Sequence, residues 1–188
     1  MKVVAQSLTR PKPGEALNGD VAVIRAEGDR LLLAVIDALG HGEMANQVAE
    51  RAREFLSRAD LKAGVRSLLS GLHEVLARGR GAAGTVCVAD GSHVEYGGVG
   101  NVELRATSIA LGMHQTDGVL GHLAPRIRIA SSELKVGQRL LMFSDGISEH
   151  FSLADFARVP VPEVCQTLLD RFARPTDDAT VLVAEVTT

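Results

Sequence analysis

Residues 31–42 read LLLAVIDALGHG, an apolar run that ends in an acid and a glycine-rich turn. Six consecutive apolar side chains, from Leu31 to Ile36, leave no face for water, which is typical of a strand buried on both sides. Asp37 closes this strand, and the two glycines after it let the backbone bend sharply and approach a ligand closely. We therefore expect a deep strand that carries a carboxylate to the edge of a sheet.

The partner of this strand follows from the dipeptide Gly28-Asp29, which is typical of a two-residue hairpin turn between apolar runs. A hairpin that closes there sets Asp20 directly opposite Asp37. Opposed side chains in antiparallel strands lie about 5 Å apart, and like charges there destabilise a sheet unless a cation compensates them. The alternative is that both aspartates, with Asn18-Gly19, are ordinary turn residues, which Asp and Gly favour at strand ends.

Composition limits the classes of function that fit this chain. A length of 188 residues with 46% hydrophobic content suits one domain, residues 1–188, with a sizeable core. The net charge of −3 and the lack of a stripe that alternates basic and aromatic residues argue against nucleic-acid binding. Apolar runs are too short for a membrane span or a signal peptide, so we expect a soluble cytoplasmic protein without a membrane partner.

The rest of the chain alternates helical and strand-like patterns and predicts an α+β fold. Helical spacing of apolar residues follows Gly42, recurs over residues 61–76 and begins again near Pro162, a favourable residue for a first helical turn. The predicted strands cover 2–8, 20–27, 30–37, 83–89, 93–99, 102–107, 109–111, 126–131, 139–143 and 179–186. The region 112–125 is poorly patterned and is predicted to be loop with at most a short strand.

Four aspartates lie at strand ends. Asp37 and Asp145 close their predicted strands, whereas Asp20 and Asp178 open theirs, so antiparallel neighbours can bring all four to one edge together with the Ala38 carbonyl. Four carboxylates in one pocket repel one another unless cations neutralise them, and two divalent ions balance the charge. Ligation by oxygen alone selects Mg²⁺ or Mn²⁺, and a pair of such ions suits the hydrolysis of a phosphate ester.

Four short motifs resemble, in order, those of the metal-dependent PPM (type 2C) protein phosphatases. They are NGD at 18–20, DALGHG at 37–42, SDG at 144–146 and DDAT at 177–180. The His-Gly ending of the second motif and the short chain look most like the bacterial SpoIIE and RsbX branch. The resemblance implies a β-sandwich of two antiparallel sheets flanked by helix pairs, in αββα layers.

The resemblance also implies a site that holds two Mn²⁺ or Mg²⁺ ions. Carried over by position, Asp37 would bridge the two ions and would be the central catalytic residue. Asp145 and Asp178 would hold one ion, and Asp20 with the main-chain carbonyl of Ala38 would hold the other.

Some positions depart from the family pattern. Ala38 replaces the usual glycine, and Asn101 stands where many relatives have an aspartate that serves an accessory third metal. The arginine that larger relatives place before the first motif is absent, which leaves the metals or a base such as Arg10 or Lys12 to recognise phosphate. His41 is a candidate proton donor to the leaving serine oxygen, with a structural or capping role as the alternative.

The resemblance implies a phosphatase that removes phosphate from serine or threonine of a STAS-domain protein in a bacterial stress-signalling assembly of the stressosome type. One alternative is a non-catalytic binding module that keeps the fold and docks a signalling partner. A third hypothesis is a small-molecule phosphatase, which would need a deep closed pocket. The sequence does not specify the oligomeric state.

Overall fold

Two β-sheets face each other in the computed structural model, which describes residues 2–107, 111–112, 115–122 and 126–188. The strands are β1 (Lys2–Arg10), β2 (Asp20–Glu27), β3 (Arg30–Ala38), β4 (Ala82–Asp90), β5 (His93–Val99), β6 (Glu103–Ala106), β7 (Gln115–Thr116), β8 (Ile129–Glu133), β9 (Arg139–Phe143) and β10 (Ala179–Thr187). The helices are α1 (Glu43–Arg58), α2 (Gly64–Leu76) and α3 (Val161–Phe172), with 3₁₀ turns at Leu61–Ala63 and Leu153–Phe156.

The larger sheet has the strand order β2-β3-β4-β5-β7, and β8 also pairs with β5. The smaller sheet has the order β1-β10-β9-β6. All pairings are antiparallel except the short contact between β5 and β7. The predicted sandwich of two antiparallel sheets is therefore confirmed, with one short parallel addition.

Helices cover the outer face of each sheet. On the larger sheet, α1 and α2 pack through apolar residues such as Leu56 and Leu69, as the helical spacing predicts. On the smaller sheet, α3 packs through residues such as Leu168, beside the 3₁₀ turn at Leu153–Phe156. A separate apolar cluster, which includes Tyr96 and Met142, fills the space between the sheets. The layers follow the predicted order of helix, sheet, sheet and helix.

The hairpin of β2 and β3 has the register that its turn predicts. Asp20 lies opposite Asp37, and Glu27 lies opposite Arg30 at the turn. Along β3, Leu33 and Val35 face the second sheet, while the residues between them face the helices. Because side chains alternate along a strand, Asp37 and its partner lie on the inner face at the open end of the hairpin.

The region after β6 differs from the sequence prediction. The strand predicted at 126–131 is observed as Ile129–Glu133, and the strand predicted at 109–111 falls largely outside the described residues. Side chains explain the later start of β8, because Thr116 Oγ1 accepts a hydrogen bond from Arg128 N and Arg66 donates to the Ile127 carbonyl. These backbone groups are satisfied without a strand partner.

Within the described part of the chain, no helix combines the length and the apolar character that a membrane crossing requires.

Candidate metal centre

Asp20 lies between the two sheets at the open end of the hairpin. Its side chain is 3% exposed, and its Oδ2 accepts a hydrogen bond of 2.6 Å from Ser144 Oγ. Ser144 follows β9, and its own Oγ accepts a bond of 3.0 Å from Thr180 N on β10. The first predicted site residue is therefore fixed by two strands of the opposite sheet, which closes this end of the sandwich.

Asp37 lies beside Asp20 and is partly buried. The carboxylates of Asp145 and Asp177 are also close enough to act on its charge. The next residue, Ala38, is buried, and its N–H donates to the Gly19 carbonyl over 3.1 Å. The structure thus brings carboxylates from both sheets to the turn that follows β3.

Asp145 is exposed at the mouth of this centre, and its Oδ2 accepts a hydrogen bond of 2.7 Å from Asn101 Nδ2. The following residue, Gly146, packs directly on the backbone of the DDAT motif. A Cβ at position 146 would lie 1.7 Å from the Asp178 carbonyl oxygen. This contact explains why the SDG motif ends in glycine, and it holds Asp145 beside the start of β10.

Asp178 lies directly before β10, where its charge acts on Asp20. It is 3% exposed, and each of its carboxylate oxygens already accepts a backbone hydrogen bond: Oδ1 from Lys12 N over 2.8 Å and Oδ2 from Gly19 N over 2.9 Å. These bonds fasten the loop between β1 and β2 to β10. The neighbouring Asp177, which the sequence analysis passed over, is more exposed, and its charge acts on Asp37.

Burial and mutual repulsion shift the acid–base properties of the two innermost carboxylates. Burial raises the pKa of Asp37 to about 9, and the charges of Asp20, Asp145 and Asp177 act in the same direction. Burial likewise raises the pKa of Asp20 to about 7, although hydrogen bonds from Ser144 and Thr180 lower it in part. No ion pair from a residue that the structure describes compensates this concentration of negative charge.

The donor chemistry of the centre fits hard divalent cations. Among the described residues, no lysine or arginine forms an ion pair with the clustered aspartates. The aspartate atoms that could ligate a cation there are all oxygens, which hard divalent cations prefer. In the part of the chain that the structure describes, no group of three or more Asp, Glu, His or Cys side chains is already arranged so that it could hold one metal ion. Binding therefore requires the carboxylates to turn toward a shared cation.

The metal-free protein is expected to lose thermal stability as the pH rises from about 5 to about 9. A carboxyl group whose pKa is higher in the folded state than in the unfolded state binds its proton more tightly in the folded state, so its contribution to stability is lost as the pH rises through this range. Both Asp20 and Asp37 have raised pKa values, so both contribute to the loss. Melting temperatures measured in EDTA across this range test the trend. Metal-free Asp37→Asn should show a flatter profile, and a wild-type melting temperature that rises with pH would contradict the prediction.

His41 is tied into a small network beside the centre. Its Nδ1 lies 2.7 Å from Glu15 Oε1 and its Nε2 lies 2.9 Å from Lys12 Nζ. Because the lysine ammonium can only donate, Nε2 accepts from it and Nδ1 carries the proton toward Glu15. Both ring nitrogens are occupied, which favours the structural alternative for His41. Of the two candidate phosphate-binding bases, Lys12 is engaged here and Arg10 Nη2 donates to the Arg174 carbonyl.

Arg80 is a residue that the sequence analysis did not identify. Pairing of β3 with β4 continues beyond the strands, since Leu39 N donates to the Gly81 carbonyl over 3.0 Å. Arg80 therefore lies beside Gly40, and its Nη1 is 2.7 Å from the point that a Cβ of Gly40 would occupy. It forms no ion pair with a described carboxylate. An arginine without an ion-pair partner in the described part of the chain thus lies beside the turn after Asp37.

The family model of stage II sporulation protein E (SpoIIE) matches residues 27–187. The chain belongs to the SpoIIE family. The match spans the β3 turn, the SDG motif and the DDAT motif, and it confirms the resemblance to PPM phosphatases of the SpoIIE and RsbX type. A search of curated protein sequences finds no match.

Solved structures agree with this SpoIIE-family assignment. A chain solved in connection with the bacterial stressosome, a modular system adapted to control secondary messenger signalling, is 29% identical, with a TM-score of 0.92 over 98% of this chain and 100% of that one. RsbX in complex with magnesium is 18% identical, with a TM-score of 0.85 over 98% and 96%. The serine/threonine phosphatase PstP of Mycobacterium tuberculosis is 18% identical, with a TM-score of 0.75 over 99% of both chains. The last two show the shared fold alone.

Proposed function

We propose that this SpoIIE-family chain is a metal-dependent protein phosphatase that hydrolyses phosphoserine or phosphothreonine. The observation that carries the proposal is the pairing of Asp20 with Asp37 at a closed end of the sandwich, where further carboxylates add negative charge. Two Mn²⁺ or Mg²⁺ ions, when bound, would neutralise phosphate oxygens and lower the pKa of a coordinated water.

The proposed ligand set differs from the sequence prediction at one position. We replace Asp178 by Asp177, because both oxygens of Asp178 already accept backbone hydrogen bonds while Asp177 acts on the charge of Asp37. The proposed ligands are the carboxylates of Asp20, Asp37, Asp145 and Asp177 and the main-chain carbonyl of Ala38. The role proposed for Asp178 is to hold the loop before β2 in place.

Three other residues have proposed roles around the ligands. Asn101 orients the Asp145 carboxylate through its 2.7 Å hydrogen bond, so it is a positioning residue. Arg80, free of carboxylate partners among the described residues, is proposed to bind the substrate phosphate at the turn after Asp37. His41 is proposed to fix the turn to the preceding loop through Glu15 and Lys12 rather than to donate a proton.

The proposed substrate is a phosphorylated STAS-domain signalling protein. Support comes from the likeness to a chain of the bacterial stressosome and to RsbX, and from a likeness to the RsbU and RsbW domains of Rv1364c from Mycobacterium tuberculosis. The exposed position of Asp145 supports a protein substrate, because a phosphorylated side chain on another protein can reach this mouth.

Removal of the metal tests the proposed activity. The purified chain should hydrolyse an aryl phosphate and a phosphorylated STAS-domain protein in the presence of Mn²⁺ or Mg²⁺ and lose both activities in EDTA, and added Mn²⁺ should restore them. Release of inorganic phosphate is the measurement. Equal rates with and without EDTA would exclude the metal-dependent mechanism. Binding of the STAS-domain protein in both phosphorylation states, without phosphate release, would favour the non-catalytic docking module.

A further inference from the structure

A groove lined by arginines lies between the first turns of α2 and the segment that precedes β8. It has a volume of about 600 Å³, and its lining residues are Arg66, Thr116, Asp117, Arg126, Ile127, Arg128 and Ile129. The lining contains three arginines and one aspartate, which gives it a formal charge of +2 in a chain whose net charge is −3. We call this feature the arginine groove.

The guanidinium groups of the arginine groove are not neutralised within the described part of the chain. Arg66 Nη1 donates to the Ile127 carbonyl, a neutral acceptor, over 2.8 Å. The side chains of Arg126 and Arg128 are exposed and form neither an ion pair nor a hydrogen bond with a described residue. Some arginines elsewhere on the surface do pair with acids, for example Arg53 with Glu50 and Arg58 with Glu54. The arginine groove therefore presents free, forked donors to solvent.

A chain of hydrogen bonds connects the arginine groove to the candidate metal centre. Thr116 is buried, and its Oγ1 accepts a hydrogen bond of 2.9 Å from Arg128 N. Its carbonyl accepts a bond of 2.9 Å from Gly100 N. The next residue, Asn101, donates to Asp145. One buried residue thus connects the arginine groove to the turn that orients a proposed ligand.

We propose that the arginine groove is a docking site for an acidic peptide segment of the protein substrate, separate from the phosphate-binding centre. The proposal rests on the proposed function and extends it to substrate recognition. Guanidinium forks match carboxylates in two-pronged hydrogen bonds, and several free arginines in an open groove suit an extended chain that carries several acids. Docking raises the local concentration of the phosphorylated residue at the centre, so it lowers KM without changing the chemical step.

The double variant Arg126→Gln/Arg128→Gln tests the proposal with two measurements. The first is the fluorescence anisotropy of a labelled peptide of glutamates and glycines without phosphate, which should bind the wild type in a salt-dependent manner and bind the variant about 10-fold more weakly. The second compares two phosphopeptides that differ only in an acidic tail. The variant should raise KM for the tailed peptide by a similar factor and leave its kcat unchanged. For the tailless peptide and for an aryl phosphate, both kcat and KM should stay at the wild-type values.

The matched control is Arg53→Gln/Arg58→Gln on α1, which removes the same charge from arginines that already pair with acids. Equal loss of peptide binding in both double variants would overturn the proposal, because net charge rather than the arginine groove would be responsible. Tighter binding of a single-stranded RNA than of the acidic peptide would also overturn it. Peptide binding that depends on the arginine groove, in a protein that releases no phosphate from any substrate, would reject the proposed function and leave the docking site supported.

Discussion

Asp37→Asn is expected to reduce metal-dependent phosphate release by more than about 100-fold, because even residues that only support metal ligands cost about 10–100-fold when they are removed. Asp37 lies at the middle of the candidate centre, where the charges of Asp20, Asp145 and Asp177 act on it. Asparagine keeps the shape of the side chain but removes its charge. The measurement is kcat for an aryl phosphate over a series of Mn²⁺ concentrations.

Two further variants separate this effect from general damage. Arg80→Ala should raise KM for the phosphorylated substrate more than it lowers kcat, because Arg80 lies at the turn and is not a proposed ligand.

Asp178→Asn should lower the melting temperature, because it weakens the two bonds to Lys12 and Gly19. In the absence of metal and at pH 7, Asp37→Asn should melt above the wild type, because the raised pKa of Asp37 requires the wild-type side chain to take up a proton on folding, whereas asparagine is neutral in both states. Undiminished turnover of Asp37→Asn would remove the proposed mechanism.

Gly146→Ala is expected to destabilise the fold by about 2–3 kcal/mol and to abolish metal-dependent activity. The new Cβ would lie 1.7 Å from the Asp178 carbonyl oxygen and 3.1 Å from the Ala179 Cα. Both atoms belong to the backbone, so no side-chain rotation relieves the contact. The SDG motif and the DDAT motif must therefore move apart. Urea unfolding measures the stability, and phosphate release over a series of Mn²⁺ concentrations tests whether activity is lost at every metal concentration.

Gly112→Ala is the matched control for this substitution. A Cβ at position 112 would lie 3.5 Å from the Ala130 Cβ, an ordinary van der Waals contact, and the backbone there is not left-handed. Its stability should stay within about 0.5 kcal/mol of the wild type. A Gly146→Ala protein that unfolds at the same urea concentration as Gly112→Ala would show that the two motifs do not need this close approach.

The sequence was sufficient for those parts of the fold that local patterns determine. A two-residue turn and an unbroken apolar run fix the register of β2 against β3, and this places Asp20 opposite Asp37. The three helices followed from periodicity in the same way, whereas the layer order followed from the resemblance to PPM phosphatases. The start of β8 was not predictable, because it depends on a hydrogen bond from Arg128 N to a threonine twelve residues earlier.

The candidate centre shows where such reasoning stops. Asp177 and Asp178 are adjacent in sequence, and their chemistry is identical. They differ because the N–H groups of Lys12 and Gly19, far away in sequence, take up both oxygens of Asp178. The position of Arg80 likewise depends on how β4 continues beside the β3 turn. Both distinctions are tertiary, so no pattern within either segment contains them.

The central place of β10 in its sheet, between β1 and β9, has a consequence for biosynthesis. Translation produces the hairpin with Asp20 and Asp37 early, but the residues that complete the cluster and anchor the preceding loop emerge only after β9. A ribosome-bound chain that ends before residue 177 lacks the carboxylates that begin the final strand. Such a nascent chain has an incomplete centre, so under the proposed function it is expected to release no phosphate until its synthesis passes that point.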